Sequence, residues 1–196
     1  MQKNFIYIKL EKKNHTFPSF YKIRPYEDEL EKIHVRCGEW DYNSDQEWYQ
    51  HQDREVDSIS LHPRFVGGDK EWNDIALVHV KHDFELANDQ TEQNLNVAPI
   101  CLPPFDEDDH KENECYSMGW GKKSFNSDSN EETMKQVHVP MVTTEQCQKA
   151  LRSTRLPNNF RLHPSTVCAG GIAGQDACGG DGGGPLVCES RDDPNR

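Results

Sequence analysis

The sequence predicts a chain built mainly of β-strands, on three stretches of alternating pattern and one isolated helix signal. Ile33 and Val35 are apolar while His34 and Arg36 are polar, the period-2 signature of a half-buried strand. Val56 to Leu61 reads as a second strand, stopped by His62-Pro63 because proline has no N–H to give to a ladder. Met134 to Val142 carries an alternating run through Val137, Val139 and Met141. The helix signal is Thr143 with Gln146, a capping box that opens a short helix to about Leu151.

Composition narrows the class. The 196 residues suffice for one large or two small domains. The chain is 29% charged and 34% hydrophobic, but its apolar runs and four tryptophans argue for a packed core rather than disorder. A net charge of -12 argues against nucleic acid or an anionic membrane as partner, and is compatible with a basic protein partner. Seven cysteines with no Cys-x-x-Cys pair point to a disulfide framework in an oxidising compartment. An odd count implies a thiol whose partner lies elsewhere. The opening Met1-Gln2-Lys3-Asn4-Phe5-Ile6-Tyr7-Ile8-Lys9-Leu10 is a poor secretory leader, since its apolar run is short and Lys9 interrupts it. Cysteines and leader disagree. The expectation is therefore an internal piece of a longer secreted protein, or a gene model with a wrong start.

The most specific stretch is Asp176-Ala177-Cys178-Gly179-Gly180-Asp181-Gly182-Gly183-Gly184-Pro185-Leu186-Val187-Cys188. A phosphate cradle does not fit it, because no Lys-Ser/Thr pair and no strand–loop–helix context follow. It resembles, without a gap, the nucleophile loop of the chymotrypsin/trypsin-like serine peptidases, Asp/Ser-x-Cys-x-Gly-Asp-Ser-Gly-Gly-Pro-Leu-Val-Cys. One position departs from that pattern. Gly182 stands where the family has its serine. Nucleophilic catalysis needs a side-chain atom that can form an acyl intermediate, and glycine has none. In a serine peptidase of another fold, loss of the serine alone costs roughly 10⁶ in turnover, about 8 kcal/mol of transition-state stabilisation.

Other stretches extend the resemblance. Val35-Arg36-Cys37-Gly38-Glu39-Trp40-Asp41 is similar to the strand and turn before the family's surface calcium loop. Asn73-Asp74-Ile75-Ala76-Leu77 matches the run that carries the triad aspartate, and Cys115 to Gly121 matches the strand ending in Gly-Trp-Gly. Asn96 to Pro104 looks like the crossover between the two halves. The arthropod clip-domain group is the most similar subset.

The resemblance implies an all-β fold of two Greek-key barrels, each incomplete in this chain. It implies an atypical segment over 1–30, a partial first barrel over 31–108 and a partial second barrel over 109–196, with the boundary near Phe105–Lys111. It implies disulfides Cys115–Cys188 and Cys147–Cys168, and leaves Cys37, Cys101 and Cys178 without assigned partners. Asp74 falls at the triad aspartate. Gly180 and Gly182 fall at the oxyanion donors, Asp176 at the base of the primary specificity pocket, and Asp181 at the acid that pairs with a new N-terminal ammonium after activation. The family's general base sits in Ala-Ala-His-Cys, and no such segment occurs. His15 is followed by threonine and reads as a surface residue within an Asn14-His15-Thr16 glycosylation triplet. His79 and His82, three apart on a strand, face opposite ways and do not read as a metal pair.

Glu39 matches the first acid of the calcium loop, and Glu47 or Asp45 can supply later oxygens, so calcium competes there with an ordinary solvated acidic loop. No other cofactor is expected. The function implied is a secreted, non-catalytic homologue that binds other proteins of an extracellular proteolytic cascade, of the innate-immune, prophenoloxidase-activating kind. Two alternatives stay open: an active endopeptidase with Arg/Lys specificity, and a non-functional gene fragment.

Overall fold

A computed structural model describes residues 9–12, 15–16, 33–68, 70–87, 96–102 and 114–189, the first two stretches as backbone only. Its strands in chain order are β1 (Lys9–Lys12), β2 (His15–Thr16), β3 (Ile33–Cys37), β4 (Gln52–Leu61), β5 (Ala76–Val80), β6 (Cys115–Gly119), β7 (Lys135–His138), β8 (Met141–Val142), β9 (Cys168–Ala169) and β10 (Leu186–Cys188). One helix, α1 (Thr144–Arg152), follows β8. The all-β class expected from the sequence is what the structure has. The strands form three antiparallel sheets, ordered β2-β1-β3-β4-β5, β10-β6-β7 and β8-β9. None of them closes into a barrel among the described residues.

The first sheet is set by the alternation in β3. Ile33, Val35 and Cys37 are buried, while His34 and Arg36 lie on the other face. With Val56 and Val97 they make a core against which Ile59, Val78, Val80 and Phe84 pack. Each buried aliphatic side chain contributes about 1.5–3 kcal/mol over its exposed state. β4 is longer than the pattern around Val56 predicts, beginning at Gln52, and its register against β5 shifts between Val56 and Ser58.

Residues 1–30 show no strand pattern in the sequence. The structure nevertheless places β1 against β3, with Leu10 opposite Val35, and β2 folds back on β1. Backbone pairing to a neighbour makes these strands, which side-chain periodicity does not reveal. Asn14 and the boundary stretch 105–111 lie outside the described residues.

In the second half, the run expected from Met134 to Val142 is broken. β7 stops at His138 and β8 starts at Met141. Pro140 lacks an N–H and cannot continue the ladder, so the two pieces part: β7 pairs with β6, and β8 with β9. Met118 and Trp120 form the core here, with Tyr116, Met134 and Val187 against them. The predicted helix start is present. Thr143 is the N-cap, its hydroxyl accepts from the Gln146 N–H, and the Gln146 side chain reaches back to the Thr143 N–H. Disulfides join Cys115 to Cys188, between β6 and β10, and Cys147 to Cys168, between α1 and β9.

Two seams tie the halves together. The Trp40 carbonyl accepts from the Trp120 indole N–H at 3.1 Å and from the Met134 N–H at 2.9 Å. On the other seam, the Asn73 N–H donates to the Ser165 hydroxyl at 2.9 Å, and Trp72 stacks on His163 with ring centroids 4.4 Å apart.

Cys37 and Cys101 are both free thiols but differ in setting: Cys37 is buried and Cys101 exposed. Burial pushes the Cys37 thiol up to about 12, and alkylation needs the thiolate. Iodoacetamide applied to the native protein at pH 8 should label Cys101 and spare Cys37, which should react only after unfolding in guanidinium. Equal labelling of both in the native state would contradict the buried position of Cys37.

Candidate functional site

The loop from Asp176 to Gly184 is held through the carboxylate of Asp181. One oxygen accepts from the Gly121 N–H at 2.7 Å and the other from the Cys178 N–H at 2.9 Å. The backbone adds three bonds: the Asp181 N–H to the Cys178 carbonyl, the Gly184 N–H to the Asp181 carbonyl, and the Lys122 N–H to the Gly179 carbonyl. The carboxylate fits only because Gly119 and Gly121 leave room for it. A Cβ on either would lie 2.4 Å from an Asp181 carboxyl atom, closer than real contacts allow. The Gly-Trp-Gly pattern is thus half of the loop's socket.

Gly180 has a φ of +103°, which a residue with a side chain rarely adopts. The N–H groups of Gly180 and Gly182 meet no hydrogen-bond acceptor among the described residues. Unengaged donors are what an oxyanion site requires. Beside them, Gly182 is exposed and offers no atom to attack with.

Asp176 is exposed, and its carboxylate accepts from the Ala177 N–H. It lines an open cleft of about 320 Å³ together with Asp181 and Glu131, but Lys122, Lys123 and Lys135 line the same cleft. Asp176 alone would favour a cationic side chain there, but three acids and three lysines share the lining and Lys135 Nζ faces Glu131 at 3.7 Å, so the cleft is not an anionic pocket.

Asp74 lies just before β5 and is exposed. Partial desolvation, and then the nearby Glu71, hold its carboxyl above the usual carboxylate range. None of the described histidines hydrogen-bonds or ion-pairs with it. His62 accepts from the Arg64 N–H, His163 bonds Ser165, and His51 faces Glu39. His79 lies on β5 and His82 beyond its end, so the pair shares no strand face. The structure therefore keeps Gly180, Asp181 and Gly182 in one loop, sets Asp176 at the cleft, and places no histidine on Asp74 among the described residues.

At the end of β3 a second group assembles. Glu39, Glu47 and His51 each offer a ligand atom, and these atoms lie within 4.8 Å of one another. Asp45 is exposed and outside the group. Burial, and then the charge of Glu47, hold the Glu39 carboxyl above its ordinary value. The donor set suits calcium poorly. Calcium takes six to eight oxygens, whereas here a ring nitrogen sits 3.2 Å from Glu39 Oε2 and the Arg36 guanidinium bonds the same oxygen at 3.1 Å. Glu39 Oε1 and Glu47 Oε1 are taken up with backbone N–H groups. Sequence reading pointed to the two glutamates but not to His51 or Arg36. The spacing of Glu47 and His51 was the available signal, and only the return of the loop onto β3 gives it meaning.

The family model described as Trypsin matches residues 26–192. The chain is similar to "Phenoloxidase-activating factor 2" of Galleria mellonella, at 41% identity over 157 residues, covering 80% of this chain and 49% of that protein. It is similar to "Inactive CLIP domain-containing serine protease A8" of Anopheles gambiae, at 37% over 167 residues, covering 82% and 42%. A third relative is "Inactive CLIP domain-containing serine protease A3" of Aedes aegypti, at 36% over 169 residues, covering 86% and 34%. The chain thus spans at most about half the length of these curated relatives.

Gly121→Ala tests the socket. Its Cβ would displace the Asp181 carboxylate, so urea unfolding should show a loss of about 1–3 kcal/mol, as for other overpacked sites. Gly179→Ala, whose Cβ meets nothing closer than a lysine methylene at 4.0 Å, should stay within about 0.5 kcal/mol of the parent. Immobilised benzamidine should fail to retain the protein, because a cleft lined by equal numbers of acids and lysines offers its cation no net attraction. Retention comparable to that of an active trypsin would mean that Asp176 dominates the cleft.

Proposed function

The chain belongs to the trypsin family, and from that premise we propose that it is a secreted, non-catalytic homologue that acts by binding within an extracellular proteolytic cascade. The observation that carries this reading is Gly182, a residue without a side chain at the family's nucleophile position, in a loop whose other residues match. Asp74, at the triad position, has no histidine partner among the described residues, which supports the same reading, since a triad needs that base to take the nucleophile's proton.

Relatives named as inactive clip-domain serine proteases support the loss of chemistry. Relatives named as phenoloxidase-activating factors support a place in immune activation. A surface shaped on a peptidase scaffold still recognises proteins when hydrolysis is gone. On this reading the protein positions an active protease or its substrate, and its partners are other proteins of the cascade.

The decisive assay uses an arginine ester and a fluorescent fluorophosphonate. The chain should neither hydrolyse the ester nor take the label. Gly182→Ser should not restore either activity, because a serine hydroxyl is a poor nucleophile without a base. The same protein, added to an active clip-domain protease and its downstream zymogen, should change the rate of zymogen conversion. Ester hydrolysis by the unaltered chain, or no effect on conversion at any concentration, would sink the proposal.

A further inference from the structure

Asp181-Gly182 is the one Asp-Gly pair in the chain, and no Asn-Gly pair occurs. Such a pair has a chemistry of its own. The side-chain carboxyl of an aspartate and the backbone nitrogen of the next residue are spaced to close a five-membered imide ring. A Cβ on that next residue crowds the nitrogen, and glycine has none. Gly182, Gly183 and Gly184 are all exposed, so water reaches the pair. The Gly182 N–H meets no hydrogen-bond acceptor among the described residues.

The seat of the carboxylate works against the reaction. One Asp181 oxygen accepts from the Gly121 N–H at 2.7 Å and the other from the Cys178 N–H at 2.9 Å. Neither donor is Gly182: one follows the end of β6, and the other lies three residues back in the loop. Ring closure consumes one of the two oxygens, so at least one of these bonds has to break first. Backbone bonds from Asp181 N–H to the Cys178 carbonyl, and from Gly184 N–H to the Asp181 carbonyl, hold the same turn. The reaction therefore runs from the opened loop. Its rate follows the population of that state when opening and closing are fast.

We propose that Asp181 is a site of spontaneous isomerisation to isoaspartate, gated by opening of its loop. The step balances without a co-reactant. The Gly182 nitrogen bonds to Asp181 Cγ, and its proton leaves with the carboxyl hydroxyl as water. Water then adds back to the ring. Addition at Cγ restores aspartate. Addition at the main-chain carbonyl carbon breaks that carbon's bond to the Gly182 nitrogen and routes the chain through Cγ. The product has one more methylene in its backbone and a carboxylate attached directly to Cα. That shorter arm no longer reaches the place that Gly119 and Gly121 leave for the aspartate side chain. The seated loop is thus a form with a finite lifetime, and a serine in place of Gly182 would lengthen it. The inference does not rest on the function proposed above.

The test ages the 196-residue chain at neutral pH, one portion folded and one in guanidinium. Peptide mapping with electron-transfer fragmentation separates isoaspartate from aspartate at equal mass. Methylation by an S-adenosylmethionine-dependent isoaspartyl methyltransferase counts it independently. Isoaspartate should build up at Asp181 in both portions, at least about fivefold faster in guanidinium. In that unfolded portion it should form faster at Asp181 than at Asp57 or Asp128, each followed by serine, and Gly182→Ser should bring Asp181 down to their rate. In the folded protein Gly121→Ala should raise the Asp181 rate at least about fivefold, the factor carried by the smallest loss expected from an overpacked seat. If that variant does not fold, the comparison of folded and unfolded parent decides alone. No isoaspartate at Asp181 in the folded chain by the time the unfolded portion is half converted would overturn the proposal. Equal rates in the two portions would do so too, since the seat would then gate nothing, as would a rate in guanidinium indifferent to Gly182→Ser.

Discussion

The second half of the molecule depends on one carboxylate. Asp181 receives an N–H from Gly121, at the end of one strand, and another from Cys178, inside its own loop. Hydrogen bonds from neutral donors to an ionised acceptor are stronger than neutral pairs, and leaving such a group unpaired costs more still. Everything around it is arranged to permit the contact. Gly119 and Gly121 withhold a Cβ, Gly180 takes a left-handed φ, and Gly184 passes close to two carbonyls. The disulfide Cys115–Cys188 then closes the strand on one side of the loop to the strand on the other.

A similar logic holds the halves together through backbone rather than side-chain surface. The Trp40 carbonyl serves both the Trp120 indole and the Met134 amide. Glu47 fixes the same turn by taking the N–H groups of Trp40 and Asp41. The acidic loop, the first sheet and the second core therefore share a few polar atoms. The opposite seam uses Trp72 stacked on His163, with Lys70 Nζ 4.6 Å from the centre of the indole. Large apolar side chains remain uncovered nearby, including Ile75, Leu77 and Val167.

Much of this was legible from residue pattern, and the limits have physical causes. The burial of Ile33, Val35 and Cys37 follows from period 2 alone, because each inward position is apolar or a thiol. The helix start was readable because a capping box is local chemistry. β7 and β8 were not separable by hydrophobicity, since Val139 stays buried across the break, and only the missing N–H of Pro140 divides them. The N-terminal strands left no trace because pairing through the backbone does not require a side-chain pattern. The loop motif could be aligned from its glycines, yet its use of Gly121 as a donor and the lysines beside Asp176 emerge only in three dimensions. His51 joins Glu39 and Glu47 through a loop reversal that nothing in the intervening residues announces.

The placement of Gly182 has a consequence for heredity. It is exposed, it has an ordinary φ, and it lies outside the close-packed socket of Asp181. Serine and glycine codons can differ by a single base, so an exchange at this position is the smallest step a gene can take. None of the hydrogen bonds that hold the loop uses an atom of Gly182. A hydroxyl can therefore come or go at this position by a single base change while the bonds that seat Asp181 stay as they are.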